Sequence, residues 1–149
     1  MGIFTEAESA YLSGERLLAR MATVGRDGTP HVVPVGWRFR PGQDVVEVAG
    51  HDLEATKKFR DAARSGRAAI VVDDLASIDP WRPRGVEIRG RAEAVAGPRP
   101  LIRIHPERIV SWGLVSDEVG RREARTVVRP AGDRDRAQAG VDAGARRTE

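Results

Sequence analysis

The sequence has no cysteine among its 149 residues, which excludes a disulfide framework, a thiolate metal site and a cysteine nucleophile. It also has no apolar run long enough to span a bilayer, and residues 1–11 lack the basic start and apolar core of a signal peptide. A chain of this length is typical of one domain. We therefore expect a cytoplasmic protein with no membrane association and no metal site.

Lysine is almost absent, because Lys57 and Lys58 are the only lysines among the 25 basic residues. The pI of about 10.1 reflects this arginine-rich composition, since the net charge is only +3. Acidic and basic residues are interspersed along the chain, whereas a protein that binds nucleic acid usually gathers its positive charge on one face. We expect no nucleic-acid partner. The adjacent lysines are either a solvated helix face or part of an anion site.

The strands are predicted from apolar alternation between turns that are rich in glycine and proline. Asp27-Gly28 favours a tight hairpin turn, and Pro34 marks an edge or a bulge because proline cannot donate to a strand ladder. Asp73 to Pro83 is expected to be a loop. The predicted strands cover residues 17–24, 29–40, 45–49, 68–72, 86–95, 101–105 and 108–112, the last two joined through Pro106.

Two helices are predicted. Thr5 begins a short helix that ends at Ser13, with Glu8 completing a capping box. Asp52 is expected to cap a second helix over residues 53–64, whose apolar stripe is formed by Leu53, Phe59, Ala62 and Ala63. Because hairpins dominate and one helix falls between the third and fourth strands, the pattern predicts a mainly β domain: a six-stranded antiparallel barrel or roll over residues 1–129. Residues 130–149 carry too few apolar side chains to order and are expected to form a disordered tail.

The second helix begins within residues 50–58, the segment whose functional groups are best suited to binding a ligand. A helix start offers free N–H groups and the positive end of the helix dipole. Thr56 adds a hydroxyl, and Lys57 and Lys58 add two ammonium groups. On the residues alone this predicts an anion site, although many solvated helices begin in the same way.

Three segments of the chain resemble the flavin split-barrel family, which includes pyridoxamine phosphate oxidase and many deazaflavin-dependent reductases of actinobacteria. The segments are residues 21–35, read as A-T-V-x-x-D-G-x-P-x-x-x-P-V from Ala22, then residues 79–93 and residues 104–113. The likeness covers roughly residues 5 to 115. It implies a six-stranded antiparallel split β-barrel with one inserted helix and a short N-terminal helix, which forms a homodimer around a cofactor shared between the subunits.

The resemblance also assigns cofactor-binding residues. Thr56, Lys57 and Lys58 would hold the cofactor phosphate, and Gly50 and His51 would add polar contacts. The second strand would lie along the ring system through Val33, Pro34, Val35 and Gly36. Trp81 and Arg82 would come from the partner subunit to complete the pocket.

The implied function is an oxidoreductase in which the reduced deazaflavin, coenzyme F420, delivers hydride to a conjugated enone or quinone-like molecule, such as an aromatic polyketide intermediate. Arg103 and His105 share one strand face and match a substrate-binding Arg-x-His of the oxidases, although a plain surface pair is the other reading. His51, His105 or water could supply the proton, and His31 is expected to be structural or solvent-facing. Two alternatives stay open: an FMN-dependent enzyme of the same fold, and a flavin or haem carrier without catalysis.

A basic surface beyond the phosphate site is one reason to favour the deazaflavin over FMN. The deazaflavin carries an anionic oligoglutamate tail, and Arg60 and Arg64 continue the basic surface of the same helix. The other reading is that the two arginines balance Glu54 and Asp61.

Overall fold

The computed structural model describes residues 2–15, 17–115 and 121–128. In this part of the chain the elements are α1 (Glu6–Ser13), β1 (Ala19–Val24), β2 (Pro30–Arg40), β3 (Val45–Ala49), a 3-10 helix (Leu53–Ala55), α2 (Lys57–Ser65), β4 (Arg67–Ser77), β5 (Arg82–Val95), β6 (Leu101–Trp112) and β7 (Arg122–Thr126). The expectation about residues 130–149 lies outside the described residues.

The strands form one antiparallel sheet in the order β3-β2-β1-β4-β5-β6-β7, and β3 also pairs with β6. This extra pairing closes the first six strands into a barrel, which leaves β7 as an added strand beside β6. The predicted six-stranded barrel with an inserted helix is therefore confirmed. Within the described residues, no helix is long and apolar enough to cross a membrane.

The core lies inside the barrel and is built by alternation along the strands. On β1, Ala19, Met21 and Thr23 point inward, while Arg20 and Val24 face out. Burying alternate residues is what a half-buried strand requires, because successive side chains point to opposite faces. The largest fully buried side chains include Met21, Leu53, Ile70, Ile88, Ile102, Ile104 and Ile109.

The segment from Asp73 to Pro83 is not the predicted loop. β4 continues to Ser77 and β5 begins at Arg82, so only a short turn separates them. Asp74 is tolerated in the strand because Arg84, its cross-strand partner, donates two hydrogen bonds to its carboxylate, at 2.7 and 2.9 Å. A cross-strand ion pair therefore replaces the apolar pattern on which the prediction depended.

The two predicted strands around Pro106 are one strand, β6. The pairing of β5 with β6 shifts register at Arg89 and Gly90, which places a bulge beside Pro106. The bulge accommodates a residue that has no N–H to donate. Gly90 allows the close approach, because a Cβ atom there would collide with the backbone carbonyl of His105. β7 was not predicted, since its sequence, REART, is charged and almost wholly exposed.

The second helix begins later than predicted. Asp52 adopts a left-handed conformation with φ of 50° and makes no side-chain cap, and it is followed by the 3-10 turn. Thr56 is the cap instead: its hydroxyl accepts the N–H of Phe59 at 3.3 Å. The predicted apolar stripe is also wrong at Ala63, which is exposed, whereas Asp61 is buried.

Candidate functional site

The barrel has an opening along β2. This strand begins at Pro30, but its pairing with β3 begins only at the pair Gly36–Ala49. The part of β2 before Gly36 therefore has β1 on one side and no contact with β3 on the other. Pro34 lies in this part, which confirms the edge that its missing N–H predicted.

The predicted ring-binding residues line this opening with mixed exposure. Val35 is buried, Val33 is 39% exposed, and Pro34 and Gly36 are exposed. Pro34, Val35 and Gly36 border a hollow of about 510 Å³, which Leu17, Leu18 and Trp37 also line. Apolar walls of this kind and size suit a flat ring system. We call it the apolar hollow.

The start of α2 offers hydrogen-bond donors for an anion. The first intrahelical bond runs from the N–H of Arg60 to the carbonyl of Thr56, and the Thr56 hydroxyl accepts from Phe59. The N–H groups of Lys57 and Lys58 precede these bonds and have no acceptor within the helix. The Thr56 hydroxyl donates to the carbonyl of Leu53 at 2.6 Å, so its proton is already engaged. Thr56 therefore fixes the position of the helix start.

A buried carboxylate orients Lys57. The ammonium group of Lys57 lies 3.5 Å from Asp61, one helical turn further on. Asp61 is 4% exposed and also accepts a hydrogen bond from the hydroxyl of Thr23 at 3.1 Å. The guanidinium of Arg64 lies 3.8 Å from the same carboxylate and donates to the carbonyl of Val24. These contacts hold α2 against the end of β1.

The structure places His31 at the candidate site, whereas the sequence predicted a structural or solvent-facing residue. A Cβ atom built on Gly25 would lie 3.0 Å from Nε2 of His31 and 3.4 Å from Nζ of Lys57. Both side chains therefore reach the same glycine, and its missing side chain leaves room beside them. Thr23, the cross-strand partner of His31, faces α2, and this register could have indicated the position.

Asp27 is the acidic neighbour of this corner. Its carboxylate accepts the N–H of Thr29 at 3.0 Å, and this hydrogen bond lowers the Asp27 pKa, with nearby His31 acting in the same direction. The side chains around Gly25 are therefore those of Lys57 and His31 with Asp27 beside them, and α2 begins at Lys57 with the half-buried Lys58 next in the chain. Such a set fits a phosphate monoester, which needs several donors and positive charge.

Gly50 and His51 lie where the chain leaves the sheet. β3 ends at Ala49, and both residues are exposed before the 3-10 turn. A Cβ atom on Gly50 would meet nothing within 4 Å. The chain thus passes from the end of β3, where Ala49 pairs with Gly36, through His51 to the start of α2.

Arg103 and His105 share the outer face of β6, as their spacing predicted. Both contact Glu93 on β5: Nε2 of His105 lies 2.9 Å from one carboxylate oxygen, and the guanidinium of Arg103 lies 3.3 Å from the other. Arg103 also lies 3.7 Å from Glu47 on β3. The pair therefore belongs to a network of charges across three strands.

Trp81 and Arg82 lie far from α2 in the same chain. α2 leads through Gly66 into the start of β4, whereas Trp81 comes after the far end of that 11-residue strand. An extended strand of this length measures roughly 30 Å. Trp81 is 61% exposed at the hairpin tip. One chain therefore does not bring Trp81 and Arg82 to the Lys57 corner.

Comparison with known proteins identifies the family of the chain. The family model described as pyridoxamine 5′-phosphate oxidase matches residues 4–129. The 5a,11a-dehydrotetracycline/5a,11a-dehydrooxytetracycline reductase of Streptomyces rimosus is 39% identical over 140 residues, which cover 88% of this chain and 98% of the reductase.

Solved structures share the fold at lower identity. A haem-binding protein from Mycobacterium smegmatis superposes with a TM-score of 0.62 at 18% identity, over 83% of this chain and 58% of that one. A structure described as an F420 reductase superposes with a TM-score of 0.53 at 20% identity, over 67% of this chain and 94% of that one. Since the family model spans the barrel, both helices and β7, the chain belongs to the pyridoxamine 5′-phosphate oxidase family.

Proposed function

We propose that this protein is an oxidoreductase that uses the deazaflavin coenzyme F420 to reduce a conjugated enone or quinone-like molecule, such as an aromatic polyketide intermediate. The observation that carries the proposal is the pairing of two features: a phosphate-sized donor set at Gly25 and the start of α2, and an open apolar strand edge at β2. A ribityl phosphate attached to a flat ring needs both.

The chain's own residues would bind and orient. Lys57, fixed by Asp61, supplies a charge to the phosphate, and Lys58 and His31 stand beside it. Val33, Pro34, Val35 and Gly36 give the ring a flat support, while Gly50 and His51 border its edge. The cofactor, when bound, supplies the hydride. Because His51 is exposed beside the opening, it or water is the preferred proton donor, and His105 is the other candidate.

The substrate class comes from the Streptomyces rimosus relative, whose name describes a reductase of dehydrotetracyclines. Its identity of 39% extends over 88% of this chain and 98% of the reductase, so the likeness is not confined to one segment. We infer a multi-ring enone of polyketide type as the substrate, and we infer no single compound.

The proposed pocket is shared between two subunits. Trp81 and Arg82 lie beyond the end of β4, too far away to reach the Lys57 corner of their own chain, so they would complete the pocket of a second copy. The outer face of β1 and β2 supports such an assembly, because Leu18 is 54% and Val32 is 66% exposed. Large apolar side chains exposed together favour a protein contact.

The choice between deazaflavin and FMN is the finer part of the proposal. Arg60 donates to the carbonyl of Ala55 at 2.8 Å, and Arg64 donates to the carbonyl of Val24 and contacts Asp61. Both arginines would have to leave these partners to bind an anionic tail. The preference for F420 therefore rests on the relatives more than on this helix face.

A retention experiment tests the proposal. The purified protein is mixed separately with F420, FMN and haemin, passed through gel filtration, and assayed for the bound compound. We expect F420 to be retained and its reduced form to be oxidised when a cyclic enone is added. Retention of FMN without F420 would move the protein to the FMN-dependent alternative. Retention of haemin alone, with no turnover, would favour the non-catalytic carrier.

A further inference from the structure

A second hollow, of about 370 Å³, lies on the outer face of β2 next to the apolar hollow. Its charged members are Arg38, Arg40 and Glu47, and Gly36 and Ala49 form its border toward the opening of the barrel. Arg38 is exposed between the buried residues Trp37 and Phe39, as strand alternation requires. We call it the basic hollow.

The basic hollow has a net positive charge, since two arginines lie there with one carboxylate. That carboxylate is already engaged by other arginines. Glu47 lies opposite Arg38 in the strand register, yet its carboxylate accepts from Nε of Arg40 at 2.5 Å and lies 3.7 Å from Arg103. Glu47 is only 8% exposed. Among the described residues, Arg38 has no hydrogen-bond or ion-pair partner. Its guanidinium is therefore available to a ligand.

Gly36 connects the two hollows. It borders both of them, and a Cβ atom built on it would meet only the carbonyl oxygen of Ala49 within 4 Å, at 3.7 Å. A flat molecule can therefore cross β2 at Gly36 without a steric barrier. Its rings would lie beside the cofactor ring rather than in its place, and its far end would extend along β2 toward Arg38.

We propose that Arg38 binds an acidic group of the substrate (a carboxylate, phenolate or enolate) in the basic hollow and so selects anionic ring compounds over neutral ones. The proposal rests on the proposed function, since it places the substrate beside the predicted ring site. Arg38 offers a planar fork of N–H donors, which matches a pair of oxygens better than an ammonium group does. Arg40 stays with Glu47 and keeps the floor of the hollow fixed.

The test uses two probes of the same shape, 1-hydroxy-2-naphthoate and 1-hydroxy-2-naphthamide, and equilibrium dialysis against the cofactor-loaded protein. We expect the acid to bind at least about tenfold more tightly than the amide, the range of one charge-assisted hydrogen bond. Arg38→Gln should bring the two affinities within about twofold. Arg38→Lys should keep part of the preference. Glu47→Gln, which removes the one negative charge of the basic hollow, should strengthen binding of the acid.

Arg67→Gln is the matched control, because Arg67 is an exposed arginine on β4 that is already paired with Glu107 at 3.3 Å. It should leave the preference for the acid unchanged. Cofactor affinity, measured by fluorescence titration, should be the same in the wild type and in Arg38→Gln, which also shows that the variant is folded. A wild type without preference, or a preference that survives in Arg38→Gln, would overturn the proposal. If no flavin-type cofactor is retained, the proposed function fails, and dialysis of the cofactor-free chain still decides the role of Arg38.

Discussion

At the scale of single residues, Asp61 connects α2 to the candidate site through its contact with Lys57. It is a buried carboxylate on a helix that faces a barrel, and such a charge is costly unless it is paired. Thr23, Lys57 and Arg64 provide its partners. One consequence is that Lys57 has a fixed direction before any ligand binds. Preorganisation of this kind lowers the entropy cost of binding a phosphate.

Lys57→Ala and Lys58→Ala should each raise the dissociation constant of the cofactor without unfolding the protein. A charge-assisted hydrogen bond contributes about 1.5–3 kcal/mol, so the loss of one should raise the dissociation constant about ten- to a hundredfold. Lys57 should matter more, because its ammonium group faces Gly25. Fluorescence titration measures the effect. Arg67→Ala, which removes an exposed cation paired with Glu107, is the control and should bind as the wild type does. A double lysine variant with wild-type affinity would refute the phosphate site.

At the scale of elements, α1 is attached to the sheet through Glu8, which is fully buried. Its carboxylate accepts hydrogen bonds from Ser111 on β6 at 2.8 Å, from Arg125 on β7 at 2.8 and 2.5 Å, and from the N–H of Thr5 at 3.0 Å. Arg125 also donates to the carbonyl of Ile3 at 2.7 Å. One carboxylate therefore caps its own helix and joins that helix to two strands.

Burial by itself would raise the Glu8 pKa, but the hydrogen bonds from Arg125, Thr5 and Ser111 outweigh it, so the pKa lies below the ordinary value of 4.5. A lowered pKa in the folded state means that the charged form stabilises the fold above the unfolded pKa. This stabilisation is lost as the pH falls through the folded pKa.

Glu8→Gln should therefore lower the free energy of unfolding at pH 7 by about 2–4 kcal/mol, slightly below the range for breaking a fully buried pair because Arg125 is partly exposed. The difference from the wild type should shrink as the pH falls below 4.5. The Glu8 carboxyl is then protonated first in the unfolded chain and, at its lowered pKa, in the folded protein. Urea unfolding at several pH values measures it. Glu6→Gln, an exposed change in the same helix turn, should cost at most about 0.5 kcal/mol. A Glu8→Gln deficit that is the same at pH 3 and pH 7 would contradict this account.

At the scale of the whole molecule, the outer face of β1 and β2 is unusually apolar for a surface. Val24 is 47% exposed, Val32 is 66% exposed, and Leu18, immediately before β1, is 54% exposed. The register places Val32 opposite Ala22 and Pro34 opposite Arg20, so apolar side chains lie on both strands with Arg20 among them. It adjoins the apolar hollow, which contains Leu18 and Pro34. A second copy that covers this face would also enclose the proposed ring site.

We expect sedimentation equilibrium to give twice the chain mass of 16.3 kDa. Val32→Glu should shift the protein to the monomer and weaken cofactor binding, because a charge on the patch would be buried without a partner. Val128→Glu is the matched control, since Val128 is 87% exposed outside the barrel. A wild type that is monomeric with its cofactor bound would contradict the shared pocket. So would a monomeric Val32→Glu variant with wild-type affinity.

Sequence patterns were most informative where the physics is local. The capping box of Thr5 and Glu8, the Asp27-Gly28 turn and the edge position of Pro34 depend on residues close in the chain, and the structure contains each of them. The predictions were wrong where contacts with residues distant in the chain determine the local structure. Asp74 joins a strand because Arg84 lies opposite, and Thr56 caps α2 because Asp52 turns the chain before it.

The candidate site divides in the same way. The sequence by itself determined a barrel with one inserted helix and a lysine pair at the start of that helix, because alternation, turns and capping act over a few residues. Only the tertiary structure placed His31 beside Lys57 and paired Lys57 with a buried Asp61. It also left Arg38 without a partner in the described part of the chain, since Arg40 and Arg103 contact Glu47. These contacts join residues on different elements, and strand register and barrel closure set their distances. No local pattern in the chain indicates which of several arginines pairs with a given carboxylate in the folded protein.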